Sequence, residues 1–581
     1  MALTNEQLIL LDNMIYLDNT VIVNSESRNV NDVVIGLLNM TDKQFKETVT
    51  DKQFYYCNDM VNGMSPEQWR TVLKSIAADE TLMSMQITNV KDDNDYTGGK
   101  DKSATGFRAA CFTNGEDTAV IYRGTVGSYQ WDDNGVGGTS TGTVSQLQAY
   151  QYLSELQGTE LADTEIYVSG HSKGGNMAQY ASLIAMSRTD LNIEQCLSFD
   201  GQGFSKQFLD YAQEMGFMTD EALSKIYKIS SEYDVVNSLF LPLQSVENTT
   251  FIDSSGALNG IADYAMVGHI GSNVLSVNGE LNNSTIPRPI HAFMSELMTY
   301  MYENVDTETT ANICSGLMGL LADNNGEISV ILDVLIMNKI PVSNLPTTYM
   351  IVPNKYQESI SQLFNVFCDF CLEDKNKGLL ALTVADYIKS DGIVTNAGLN
   401  FLQLLFKKFN IESDDISKAN DFYNSYVNDH VSGATISDPS MIYLDYEDAL
   451  ALNLYKKATG NAIETIEEVT EQGVKISLEI FSDFMKTFKF IVDNEHIWKY
   501  TTRPVLATAN VSTNAASKIK YDPLILDLDG DGYNVETKEN GANFDLDKNG
   551  FAEKINWTKK DGFLCLDLNG NGDGVIDENV L

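Results

Sequence analysis

Basic residues are scarce in this chain: Lys and Arg number 39 against 81 for Asp and Glu, a formal net charge of −42 at pH 7. A field of that sign repels nucleic acid and anionic membrane surfaces and makes cations the natural partners. Cysteine is thin as well. The seven cysteines (57, 111, 196, 314, 368, 371 and 565) are odd in number and widely spaced, which speaks against a disulfide framework. Cys368 and Cys371 form a CxxC, but inside the apolar run 363–373 and without a second pair or a nearby His, so they read as helix core. The first residues, Met1 to Gln7, lack the basic and apolar regions of a secretory signal, and no run of about 18 uncharged apolar residues exists. The expectation is a chain without transmembrane segment or conventional leader, with signal-less export to the exterior or cytoplasmic residence both open.

What is present suffices for large cores. Apolar residues make up 43% and aromatics 10%, enough buried surface to offset chain entropy. At 581 residues, three structural units are expected. Residues 1 to about 95 read as helices, with capping-box spacing at Thr4–Gln7 and Ser65–Gln68 and a further helical stretch at 29–40. From 105 the period becomes that of strands, 105–113 and 117–125 flanking a turn at Asn114-Gly115-Glu116. Thereafter a helix at 145–157, strand at 165–170, helix at 174–188, strand at 195–201 and strand at 225–236 alternate. This is an α/β pattern, which implies right-handed crossovers and a parallel sheet covered on both faces. Chemistry in such sheets gathers at the carboxyl ends of the strands.

Residues 301–510 carry apolar positions every three or four residues, including segments 326–339, 398–409 and 473–492, and read as an all-α region. Stretches such as 328–337 suit a lid or lipid-docking surface, though amphipathic helices usually are plain core. The polar, small-residue segment 501–518 reads as a linker into a last unit at 521–581. The unit 1–300 should fold and hydrolyse esters if cut out near its end.

Gly170-His171-Ser172-Lys173-Gly174 is a GxSxG pentapeptide between a strand and a helix, the context in which a sharp turn raises a serine hydroxyl above a helix N-terminus. Serine needs a base, and the base a carboxylate. Of five histidines, His171 lies in the turn itself and His430 and His496 fall in the helical region, which leaves His269 and His291. His269 is favoured because it sits in a glycine-flanked loop, whereas His291 opens an amphipathic helix and suits capping. Asp234, past the strand ending in Ser230-Ser231, is the favoured acid, with Asp200 its rival. The oxyanion donors expected are the backbone N–H groups of Lys173 and Thr125, the latter in Arg123-Gly124-Thr125 after an early strand.

Taken together these residues resemble the class 3 lipase family and especially its bacterial lipase-like relatives. Tyr122-Arg123-Gly124-Thr125 followed by Trp131-Asp132 is similar to that family's Arg-Gly-Ser/Thr oxyanion loop, and GHSKGG at 170–175 to its serine turn. Phe199-Asp200-Gly201-Gln202-Gly203-Phe204 resembles an Phe-Asp-Gly-Pro-Gly-Phe stretch, with Gln for Pro, and His269-Ile-Gly-Ser-Asn-Val-Leu275 resembles HxGxxxW without the aromatic. The resemblance covers about residues 1 to 300 and implies an α/β-hydrolase fold and a neutral-lipid or phospholipid ester as substrate.

Near the end, Asp527-Leu-Asp529-Gly-Asp531-Gly and Asp545-Leu-Asp547-Lys-Asn549-Gly set oxygen ligands at alternate positions before a glycine, the way EF-hand-type loops wrap Ca²⁺. A third stretch holds Asp567, Asn569, Asn571 and Asp573, with Glu578 at its twelfth place; the first two loops have Lys538 and Asn556 there. The repeats resemble C-terminal modules of large bacterial RTX-type exoproteins, which implies export without a leader and a calcium-stabilised unit. The leading expectation is therefore acyl transfer to water through Ser172. A different class is a secreted effector or adhesin built on an inactive hydrolase scaffold with a partner-binding helical region; a third changes the substrate to a thioester or peptide.

Overall fold

A computed structural model of the chain describes residues 2–17, 29–49, 64–94, 103–243, 248–255, 267–276, 279–323, 356–390 and 413–430, with short strands at 525–526, 542–544, 553–555 and 562–563. It divides into two compact units, Met1–Glu479 and Ile480–Leu581. The segments 326–339, 398–409 and 473–492, the linker and every ligand position of the three acidic loops lie outside the described residues.

The first unit opens with helices α1 (Asn5–Met14), α2 (Val30–Leu38), α3 (Asp42–Val49), α4 (Pro66–Ala78) and α5 (Glu80–Ser84). Both expected capping boxes form: Thr4 accepts from Gln7 N and Ser65 from Gln68 N, each with the reciprocal glutamine bond. Then come β1 (Gln86–Asp92), β2 (Arg108–Thr113), β3 (Asp117–Tyr122), α6 (Gly127–Gly137), α7 (Val144–Ser154), β4 (Glu165–His171), α8 (Lys173–Arg188) and β5 (Ile193–Phe199). The unit continues through α9 (Lys206–Glu214), α10 (Asp220–Ser224), β6 (Ile226–Ser231), β7 (Thr249–Ile252), β8 (Ser284–Thr285), α11 (Pro289–Asn304) and α12 (Thr307–Asp323). Its remaining described helices are α13 (Gln357–Phe370), α14 (Asp374–Ser390) and α15 (Ser413–His430).

Strand β1 stands where the sequence reads as helix. Its apolar residues Ile87 and Val90 are three apart because the register shifts between Thr88 and Lys91, with Asn89 at φ 51°. The extra residue of this bulge turns a period of two into an apparent helical one.

All eight strands form one mixed sheet whose spatial order is their chain order. β3 to β7 are parallel, and β1, β2 and β8 join antiparallel at the edges. Right-handed crossovers that always advance in one direction deposit their helices on one face only. That face holds Ala109, Cys111, Val120, Tyr122, Ile166, Val168 and Cys196 against residues of α7, α8 and α9 such as Tyr152, Met177 and Phe208. The alternate residues Ala110, Phe112, Ala119, Ile121, Tyr167, Leu197 and Phe199 point the other way and would be bare but for α1, α2 and α4, whose Leu8, Leu11, Val34, Trp69 and Leu73 cover them. The N-terminal helices are thus the second layer of the fold.

A third core joins residues around the β6 exit, Tyr233, Val235, Val236 and Phe240, to α11–α15 through Phe293, Leu297, Met301, Cys314, Phe370, Leu379 and Tyr423. Helix α12 also lies directly on α6: a side chain at Gly135 would meet Ser315 Cα at 3.0 Å, and one at Gly138 would meet Cys314 Cβ at 2.8 Å. These helices share a core with residues 233–301. Cys371 is buried at the end of α13, as a core thiol.

Within the second unit, β9 (Ile525–Leu526) pairs antiparallel with β12 (Gly562–Phe563), and β10 (Ala542–Phe544) with β11 (Glu553–Ile555).

Candidate active site

Register brings the site together. Tyr122 of β3 pairs with Gly170 of β4, and His171 of β4 with Phe199 of β5, so residues 123–125, Ser172 and Asp200 emerge side by side at the carboxyl edge. Ser172 is held at φ 59°, ψ −129°, a strained backbone state for a residue with a Cβ, costing on the order of 1–3 kcal/mol. The turn is this tight because strand, helix and neighbouring strand nearly touch. A Cβ on Gly170 would stand 2.4 Å from Gly174 C, and one on Gly174 2.2 Å from Tyr122 O.

His269 lies on a short turn, Val267–His269, whose Gly268 N–H donates to Tyr233 O at 2.9 Å. Its Nε2 is 2.9 Å from Ser172 Oγ, and its Nδ1 is 2.9 Å from Asp234 Oδ2. Asp234 is fully buried and also accepts from Val236 N at 2.8 Å, which fixes the carboxylate from behind. Burial pushes the imidazole of His269 down, but the charge and hydrogen bond of Asp234, with Asp200 behind it, outweigh this and leave its pKa above the ordinary histidine value.

Asp200, also at positive φ (49°), sits next to this pair rather than in it. It accepts from Ser231 N and Oγ at 2.6 Å each and from Asn237 Nδ2 at 3.0 Å, thereby clamping both ends of the loop that carries Asp234. Burial and the neighbouring charge of Asp234 raise its pKa well above the carboxylate range. His291 occupies the first turn of α11, where its Nδ1 accepts from Arg288 N at 3.0 Å and its ring packs on Phe251. Burial pushes its pKa down to about 4.

No side chain caps the first turn of α8, so the Lys173 N–H faces the serine end of the helix uncapped. The Lys173 side chain, which sequence reasoning passed over, runs back under α6. Its buried Nζ donates to Asp133 Oδ2 (2.7 Å), Asn134 Oδ1 (2.6 Å) and Gln130 O (3.2 Å). Asn134 in turn donates to Thr125 Oγ1 at 3.0 Å and accepts from Gln202 at 3.1 Å. Arg123, buried, holds Gly106 O at 2.7 Å and Asn94. Segment 123–125 is thus fixed on both sides.

Two further residues were not legible as part of the site. Asp12 of α1 accepts from Ser169 Oγ at 2.8 Å beneath the serine strand, and Tyr16, just past α1, reaches the site itself, its Oη 3.0 Å from both His171 Nδ1 and Gly124 N. The available signal was an otherwise apolar stretch, Leu8 to Leu17, carrying polar residues that a buried segment must partner. Among the described residues, His171, Asp200 and His269 bring potential metal-ligand atoms within 4.8 Å of one another, but both nitrogens of each histidine already hold hydrogen bonds.

A family model described as Mbeg1-like matches residues 82–284, and one described as an SPM domain matches residues 524–579. Among solved structures, the Lip2 lipase from Yarrowia lipolytica is similar at 15% identity and a TM-score of 0.21, over 29% of this chain and 66% of that one, just under two thirds of its length. M37 lipase is similar at 14% identity and a TM-score of 0.21, over 41% of this chain and 70% of that one.

Proposed function

We propose that the chain is a serine ester hydrolase of the α/β-hydrolase type acting on lipid esters. The observation that carries this reading is the unbroken hydrogen-bonded series Ser172 Oγ, His269 Nε2, His269 Nδ1, Asp234 Oδ2, with both links at 2.9 Å. In that arrangement His269 takes the Ser172 proton as Oγ attacks the ester carbonyl carbon, and Asp234 stabilises the resulting imidazolium. The amides of Lys173 and Thr125 are the donors assigned to the oxygen that gains charge. His269 then protonates the departing alkoxide, and water, deprotonated by the same imidazole, cleaves the acyl-serine. Ser172 is only 9% exposed, so the scissile carbonyl must enter a largely enclosed site to reach it.

Fluorophosphonate should label the wild type at one residue and leave Ser172→Ala unlabelled; equal labelling of both would defeat the reading. A panel of p-nitrophenyl esters, phospholipids, thioesters and peptides then ranks substrates, with lipid esters expected to turn over fastest.

Calcium is proposed for the acidic loops of 521–581 from the chemistry of their donors, hard oxygens at alternate positions ahead of a glycine. Asp527, Asp529 and Asp531, then Asp545, Asp547 and Asn549, then Asp567, Asn569, Asn571 and Asp573 would supply the ligands. Such ions would offset carboxylate repulsion and stabilise that unit, in keeping with export to a calcium-rich exterior, and take no part in the acyl chemistry.

A further inference from the structure

We infer that Tyr16 and His171 are positioning residues of the catalytic centre, forming a directional relay that sets the oxyanion loop against the main chain of His269. This rests on the hydrolase reading above. The direction of every bond is forced. Gly124 N–H can only donate, so Tyr16 Oη accepts it at 3.0 Å. The carbonyl of His269 can only accept, so the proton on His171 resides on Nε2, which donates to that carbonyl at 2.9 Å. Nδ1 of His171 is then bare and accepts a hydrogen bond from the Tyr16 hydroxyl at 3.0 Å. His171 is 1% exposed, and burial, with His269 beside it, holds its pKa well below the usual value, which favours the uncharged ring that this chain of bonds needs.

Space is as restrictive as hydrogen bonding. A Cβ on Gly124 would lie 2.1 Å from Tyr16 Oη, 2.8 Å from His171 O and 3.1 Å from Ser172 Cβ, so the phenol occupies the place a side chain would take beside the nucleophile. The ring of His171 rests against that of His269, centroids 4.6 Å apart. Asp234 orients the base through its imidazole; the relay holds the same residue by its backbone and ties it to residue 124. It also assigns the oxyanion donors. The Gly124 amide is consumed by Tyr16, so that duty falls to Thr125 and Lys173.

Tyr16→Phe removes one hydroxyl and keeps the ring. In the full chain its kcat for a p-nitrophenyl ester, and its rate of fluorophosphonate labelling, should fall roughly 10- to 100-fold with KM within about twofold, the signature of misplaced machinery rather than lost binding. His171→Gln interrupts the relay from the other side and should fall similarly; the double variant should lose no more than the worse single one. Wild-type kcat in Tyr16→Phe, or a double-variant loss equal to the product of the two single losses, would overturn the relay. Should Tyr16→Phe not fold, His171→Gln decides alone, full activity counting against. A wild type that takes no label at Ser172 fails differently, sinking the hydrolase reading itself.

Discussion

His269 is pulled two ways, by burial toward the neutral form and by Asp234 toward the charged one, and the second pull prevails. It must be neutral to accept a proton, so the acid limb of kcat/KM should fall above the ordinary histidine pKa of about 6.5. Asp234→Asn removes the charge that raises it. The limb should then move to lower pH while kcat drops roughly 10³- to 10⁴-fold, both read from one pH–rate series; an unmoved limb would assign that ionisation elsewhere. The linked stability has a definite sign: the raised histidine stabilises the wild type below its unfolded pKa, and this is lost as pH rises through the folded value. Much of this site could be read from the chain because its parts are local or ordered. The serine turn is five consecutive residues, and His269 follows from chain order plus flanking glycines. Asp200 and Asp234 were harder to rank, since both end a strand at the same edge; only the geometry shows one facing the imidazole and the other clamping the loop. Tyr16 had no such marker, being 155 residues from its partner His171.

Between elements, the buried Lys173–Asp133 pair is the bolt that fastens α8 to α6, both side chains under 5% exposed. Burial lowers the lysine pKa and Asp133 opposes it, so each charge depends on the other. Lys173→Met should strand the carboxylate and cost about 3–5 kcal/mol, seen as a lower Tm, and should impair ester hydrolysis because Asn134 no longer steadies Thr125. Replacing Asp133 by Leu in the same chain should restore most of the stability; failure to do so would show that the lysine acts by packing alone. The element the sequence concealed is β1, where a bulge disguised the strand period, and the role it concealed is that of the first helices. Their apolar stripes are plain in the sequence, but that they roof one face of the sheet follows from an unvarying strand order, which no local pattern announces.

At the scale of the molecule, the third core makes α11–α15 structural neighbours of the β6 exit, so a fragment ending at residue 300 would expose Phe293, Leu297 and Met298 together with α6. It should be insoluble or inactive, unlike the self-sufficient unit that the sequence alone suggests; soluble, fully active fragment would show the helices to be dispensable. Calcium should act separately. In the full chain, added calcium should protect residues 480–581 from protease relative to EDTA, with the hydrolysis rate unchanged; protection that is the same in both would remove the metal from the account. The roof over the sheet also has a consequence for how the chain comes to be folded. Leu8, Leu11 and Ile15 share one buried core with residues of β2 to β7, from Ala110 to Ile252, so these partners lie roughly 100 to 240 residues downstream, a gap of about 5 to 50 s at ordinary rates of synthesis. Until those strands are made, these apolar helices have no sheet to cover. Residues 8–15 are thus made before the strands they cover and settle only after them, and this protein's yield in a cell will turn on whatever shelters them meanwhile.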